Sequence, residues 1–237
     1  MAGRPQRRAT VQPRLRLKPG EREARIVAEA AAFFAEKGFS GSTRALAARL
    51  GVTQALLYRY FRSKQALIDR VFQSRVAENW KPEWDRLIGD RSRPLQERLT
   101  CFYQAYRARS TLTGARLWMR ANLDGINFAG RYSGMLTQRI LQPIAAELRL
   151  EAGLPDFSAR PFMRDERELV MTFHGSIAFL GIRKFIYRMP MLDDLDELVA
   201  LQIRVALPGA VAEMRRLHGP EAEPALTVQV VDSPRRR

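Results

Sequence analysis

Residues 43–64 read TRALAARLGVTQALLYRYFRSK. Two short amphipathic segments, 43–50 and 53–61, flank Gly51-Val52, a link too short for anything but a steep crossing of two helices. Ala47, four residues before Gly51, lets the second segment approach the first closely. Thr53 is suited to cap the second helix through its hydroxyl. Leu46, Leu50, Val52, Leu57 and Phe61 supply apolar positions that a preceding helix can complete with Ile26, Phe33 and Phe34. A three-helix unit with a helix-turn-helix inside it is therefore predicted.

At about 100° per residue, Leu57 and Phe61 mark the inward face of the second segment, with Ala55 and Arg59 nearly opposite. Leu56, Tyr58 and Arg62 flank them. Such a face suits the major groove of a duplex: Arg59 can donate twice to a guanine, Gln54 matches an adenine edge, and Ala55 or Leu56 can touch a thymine methyl. Tyr58, Lys64, Thr53 and the start of the preceding helix at Thr43 are placed for phosphates.

Outward from this window, the helical pattern begins at Glu21 and closes at Lys37-Gly38, where the glycine suits a left-handed terminus. A longer helix starts near Ser63 and runs to about Trp80. Pro82 and the stretch 89–94 mark a break. Further helices are predicted over about 95–110, 115–127, 133–152, 165–188 and 193–217, with a loop at 154–161 and a kink or restart at Pro208-Gly209. Residues 227–231 are the one place where hydrophobicity alternates with period two. The predicted fold is all-α. It comprises a basic arm (1–20), a DNA-binding domain (21–80), a C-terminal bundle for ligand binding and dimerisation (81–217) and a tail (218–237).

The pattern G-V-T-x-x-x-L-Y-x-Y-F-x-S-K-x-x-L over residues 51–67, with Phe33-Phe34 and Lys37-Gly38-Phe39 before it, resembles the signature of the TetR family of regulators. The resemblance covers about residues 24–72. It implies that the third helix reads DNA, that the tyrosine and lysine hold phosphates, and that the remainder binds a small effector and dimerises. On that resemblance Thr43, Gln54, Tyr58 and Lys64 take DNA roles; Arg59 and Leu56 stand at positions that vary in the family. Beyond residue 80 the likeness is one of layout and length.

The bulk properties agree. The 237 residues carry a formal net charge of +15, pointing to a polyanionic partner. Arg4, Arg7, Arg8, Arg14, Arg16 and Lys18 crowd an N-terminal arm without acids, and Arg235, Arg236 and Arg237 end the chain. One cysteine, Cys101, read as a small buried hydrophobe, makes no internal disulfide, and two distant histidines argue against a zinc site. His174 reads as a satisfied histidine on a packed helix. No signal peptide is evident, and the longest apolar stretch, 169–182, falls short of a bilayer span of about 20 residues. These features predict a cytoplasmic chain with no membrane partner.

No G-x-S-x-G, H-E-x-x-H or phosphate-binding glycine loop occurs, and the paired acids Asp165-Glu166 and Asp193-Asp194 sit at helix starts, where the dipole favours them. Neither enzymatic activity nor a cofactor is expected. Phe102, Tyr106, Trp118, Phe128 and Phe173 are candidates for an effector pocket, largely apolar, with Arg116 and Arg120 available to an anionic group. The apolar surface of helix 165–188 exceeds what a protomer buries, so Phe173, Ile177, Leu180 and Ile186, with Leu201, are assigned to a homodimer interface. The expected function is a ligand-responsive regulator, acting as a repressor on a near-palindromic operator in double-stranded DNA. The alternative is a non-specific or architectural DNA-binding protein, against which the outward Gln54 and Arg59 argue.

Overall fold

A computed structural model describes residues 18–76, 80–126 and 128–219. The predicted arm, apart from its last three residues, lies outside them. So does the tail beyond Gly219, with its alternating segment at 227–231. The described residues form helices and loops only.

Helix α1 (Pro19–Lys37) begins two residues before the predicted start. Pro19 occupies its first turn, where the missing N–H has no partner to lose, and the Glu21 carboxylate accepts from the Lys18 amide at 2.9 Å. It ends at Gly38, whose φ of 77° demands glycine. Helix α2 (Thr43–Leu50) is capped by Ser42, which accepts from the Ala45 amide at 3.1 Å. Gly51 stops it in the left-handed region (φ 66°), and the Val52 amide reaches back to the Ala47 carbonyl at 3.0 Å. Helix α3 (Gln54–Tyr60) starts at Thr53, whose hydroxyl accepts from the Leu56 amide at 3.1 Å. Helix α4 (Lys64–Val76) starts at Ser63, which caps Ala66 at 3.0 Å.

The stretch read as a break contains a helix, α5 (Pro82–Gly89). Pro82 is its first residue rather than a terminator, and Trp84 and Ile88, four apart, are its buried face. Then come α6 (Leu95–Ala108), α7 (Leu112–Leu123) and α8 (Phe128–Leu136). A π-helical turn (Thr137–Leu141) leads into α9 (Gln142–Glu151). Pro143 cannot donate to the preceding turn, which accounts for the irregularity there. Helix α10 (Arg164–Ile182) ends in a second π-helical turn (Arg183–Tyr187). Helix α11 (Leu195–Leu217) is capped by Asp194, which accepts from the amides of Asp196 and Glu197 at 2.9 and 3.0 Å.

The restart expected at Pro208-Gly209 does not occur, since α11 continues through both residues. Both are exposed, so water can reach the carbonyl that proline leaves unpaired, while buried Ile203, Leu207, Ala210 and Met214 hold the two halves on one core.

Two hydrophobic clusters organise the chain. The first joins Ile26, Phe33, Phe34, Leu46, Leu57 and Phe61 with Val71 and Phe72, and Phe39 stacks between Phe34 and Phe72 at 5.1 and 5.6 Å. Leu50 packs only partly against it, and Val52 is half-buried outside it. Leu117 and Ala121 of α7 belong to this cluster, so the bundle sends one helix into the core of the N-terminal unit. The second cluster fills the bundle between α5, α6, α9, α10 and α11.

The stretch Arg164–Tyr187 is long and apolar enough, by length and composition, to cross a membrane. A core helix passes the same test, and Val170, Phe173, Ile177 and Leu180 of this one are buried in the bundle.

Candidate nucleic-acid interface and effector cavity

Helix α3 lies across α2 with Leu57 only 1% exposed and Phe61 buried, so its opposite side faces outward. Ala55 and Arg59 are exposed there, as are Thr53, Arg62 and Tyr58, the last at 41%. Arg44 and Ala45 extend this surface onto the first turn of α2, and Leu56 and Lys64 are half-buried at its borders. A surface of guanidinium, hydroxyl and small apolar groups beside two capped helix N-termini offers donors without a carboxylate, which suits a phosphate backbone.

Thr43 and Gln54 are not free to the extent that the helical wheel implies. Thr43 is buried, and its Oγ1 accepts from Gln54 Nε2 at 2.8 Å and lies 3.1 Å from the Tyr58 hydroxyl. This chain of three side chains ties α2 to α3 and fixes the direction of Tyr58. A base contact by Gln54 requires it to release Thr43 or to use its remaining amide atoms.

A second site lies in the bundle. A cavity of about 800 Å³, partly open to solvent, is bordered by residues of α4, α5, α6, α7, α8 and α10. Its aromatic wall comprises Trp80, Trp84, Tyr106, Trp118 and Phe179, with Phe72 from the N-terminal core. Of the five pocket candidates, Tyr106 and Trp118 border it. Phe102 and Phe173 stand behind that wall, fully packed: Phe102 lies 6.2 Å from Trp84 and 5.9 Å from Tyr106, and Phe173 lies 5.9 Å from Tyr103. The side chain of Phe128 lies outside the described residues. Trp80 and Trp84 escaped the sequence reading because α5 did. The Trp80-x-x-x-Trp84 spacing around a proline suited to a helix start was the available signal.

The arginines on this cavity are Arg75, Arg107 and Arg109; Arg116 and Arg120 border a separate cleft against Ala35 and Glu36. Arg107 Nη2 donates to Asp196, which is not part of the wall. His174 also lines the cavity. It is 4% exposed, its Nδ1 lies 3.2 Å from the Tyr103 hydroxyl, and burial pushes its pKa down to about 4, so it is neutral at pH 7. Among the described residues no group of three or more His, Cys, Asp or Glu is placed to hold a metal ion.

The residues assigned to the dimer interface divide. Phe173, Ile177 and Leu180 are 4%, 2% and 2% exposed and form the core of the protomer, because the bundle turns that face of α10 inward. Ile186 is half-buried and Leu201 is 40% exposed. The apolar surface left open on the last two helices consists of Phe179, Tyr187, Leu201 and Val205, the last 72% exposed. Cys101, expected inside, is half-buried.

Residues 26–71 match the family model described as "Bacterial regulatory proteins, tetR family". No curated protein matches the chain significantly. Several solved structures share its fold. A transcriptional-regulator structure from Pseudomonas aeruginosa is 18% identical with a TM-score of 0.63, covering 85% of this chain and 95% of that one. Mycobacterium smegmatis AmtR is 21% identical with a TM-score of 0.55, over 87% and 97%. A structure assigned to the TetR family from Mesorhizobium loti is 14% identical with a TM-score of 0.54, over 83% and 98%.

Proposed function

We propose that the chain, whose residues 26–71 match the TetR family model, is a transcriptional regulator of that family and acts as a homodimeric repressor of a near-palindromic operator, released by a small effector held in the bundle. The observation that carries this reading is the outward face of α3. Arg59, Ala55 and Tyr58 are exposed together on a capped helix whose leucine and phenylalanine anchor it.

The coupling between the two sites follows from α7. On one side Gly114, Ala115, Leu117 and Trp118 border the cavity; farther along, Leu117 and Ala121 pack into the core of the DNA-binding unit. At its end Asp124 Oδ2 accepts from the Phe39 amide at 2.6 Å, directly after α1. Phe72 and Arg75 bring α4 to the same cavity. A ligand that displaces α7 or α4 therefore displaces the frame that holds α3, and in a dimer it changes the separation of the two reading helices. Only a ligand that binds the two arrangements unequally shifts their balance.

Gel shifts on DNA flanking the gene test the reading. A preferred inverted repeat is expected, with half-sites about one helical turn apart, ~34 Å, or somewhat more. Equal affinity for operator-like and random fragments at a stated moderate salt would replace it with the architectural alternative.

A further inference from the structure

The smaller cleft, of about 540 Å³ and partly open to solvent, lies where α7 packs against both α1 and the π-helical turn that follows α10. Arg116, Met119, Arg120 and Leu123 stand at i, i+3, i+4 and i+7, so a single face of α7 borders it. Phe185, Ile186 and Arg188 come from the end of α10, and Ala35 and Glu36 from the last turn of α1. Three guanidinium groups thus meet at one concavity. Among the described residues none of the three has a hydrogen-bond or ion-pair partner. Glu36 is the single carboxylate on the wall. Both its oxygens accept from Arg49, at 2.6 and 3.1 Å, and Arg49 stands outside the cleft, so that charge is already countered. Like charges four residues apart on one helix face oppose folding, and a bound anion removes that cost. Arg188 is held in the left-handed region (φ 52°), the one non-glycine residue so placed among those described.

We propose that this cleft is a second small-molecule site, separate from the aromatic cavity, that takes a phosphorylated small molecule. Its dianionic phosphoryl head is held by Arg116, Arg120 and Arg188, and its apolar part lies against Met119, Phe185 and Ile186. Each guanidinium is a planar fork that pairs with two oxygens. Three forks exceed what the two oxygens of a carboxylate can use and match the three oxygens and double charge of a phosphate ester. The volume suits a ligand of metabolite size. No residue of α2, α3 or α4 borders the cleft, which separates it from the DNA face.

Calorimetric titration of the full chain, free of DNA, at pH 7.5 and about 0.1 M chloride compares phenyl phosphate, inorganic phosphate and benzoate. Phenyl phosphate is expected to bind one molecule per chain. It should bind at least about tenfold tighter than benzoate, which lacks the third oxygen and the second charge. It should also bind tighter than inorganic phosphate, which lacks the apolar part. Arg116→Gln with Arg120→Gln is expected to weaken phenyl phosphate about tenfold or more, with thermal unfolding as cooperative as before. Arg188→Gln, on the other side of the junction, is expected to act in the same direction and keeps the test decisive if the double variant does not fold. Arg59→Gln with Arg62→Gln, on α3, is expected to leave the affinity unchanged. No saturable phenyl phosphate binding, benzoate or inorganic phosphate binding as tightly, or a loss in the α3 variant instead of the cleft variants would each overturn the proposal. Because no DNA enters the assay, such a failure leaves the repressor reading standing.

Discussion

At the scale of single residues, the proposed DNA face separates into groups suited to positioning and groups suited to reading. Arg59 is exposed at the centre of α3 and is suited to two hydrogen bonds with one guanine. Arg59→Ala is expected to reduce the ratio of operator to random-DNA affinity about 5- to 150-fold, the equivalent of about 1–3 kcal/mol for a bidentate base contact. Lys64→Ala is expected to weaken binding to all sequences alike and to lower the slope of log affinity against log salt by about 1. Titration of both variants at several salt concentrations distinguishes the two; an Arg59→Ala protein that keeps its full preference would remove this side chain from readout. Thr43 and Gln54 carry the contrary lesson. Residue type places both near DNA, yet their hydrogen bond turns them first toward each other.

At the scale of elements, one buried ion pair determines how α9, α10 and the loop between them assemble. Arg149 is 1% exposed and Glu166 0%, and the guanidinium reaches both carboxylate oxygens at 2.5 and 2.7 Å. It also donates to the carbonyls of Pro155, Asp156, Arg160 and Pro161 and lies over the Phe157 ring at 4.4 Å, so the whole loop closes around it. Burial alone would raise the pKa of Glu166. The hydrogen bonds from Arg149, the Met163 amide and His218 override it and hold the carboxyl below its usual value. An acid at a helix start, which the sequence reading assigned to the dipole alone, is here half of an interior salt bridge. Arg149→Met is expected to cost about 3–5 kcal/mol, because the carboxylate stays buried without its counter-ion. Urea unfolding measures this, and a loss under about 1 kcal/mol would show that the guanidinium does not hold the loop. The exposed pairs of Arg49 with Glu29 and Glu36 join α2 to α1 and contribute far less.

At the scale of the molecule, the last two helices leave Phe179, Tyr187, Leu201 and Val205 uncovered. A second copy seated there would bury them and present two α3 helices to one duplex. Val205→Arg changes a side chain that is 72% exposed, so the protomer should fold unchanged. The variant is expected to sediment as a monomer, with operator affinity lower by about 10²–10⁴-fold once the two half-sites are no longer held together. A Val205→Arg dimer with full affinity would move the interface elsewhere.

The helix-turn-helix was legible because its determinants are local. Ser42, Gly51, Thr53 and Ser63 act within four residues of themselves, and the apolar period of α3 assigns Arg59 to the outside without reference to any other element. The long helices were legible for the same reason, whereas α5 was not, since a proline and a glycine seven positions apart are equally consistent with a short helix and a break. Which apolar residues form core, cavity or outer face was settled in three dimensions. Phe173 and Phe179 share one helix and one chemistry, and only the packing of α6 and α11 against α10 buries the first and leaves the second exposed. The cavity and the Arg149–Glu166 pair arise likewise from residues far apart in the chain, for which no sequence period exists.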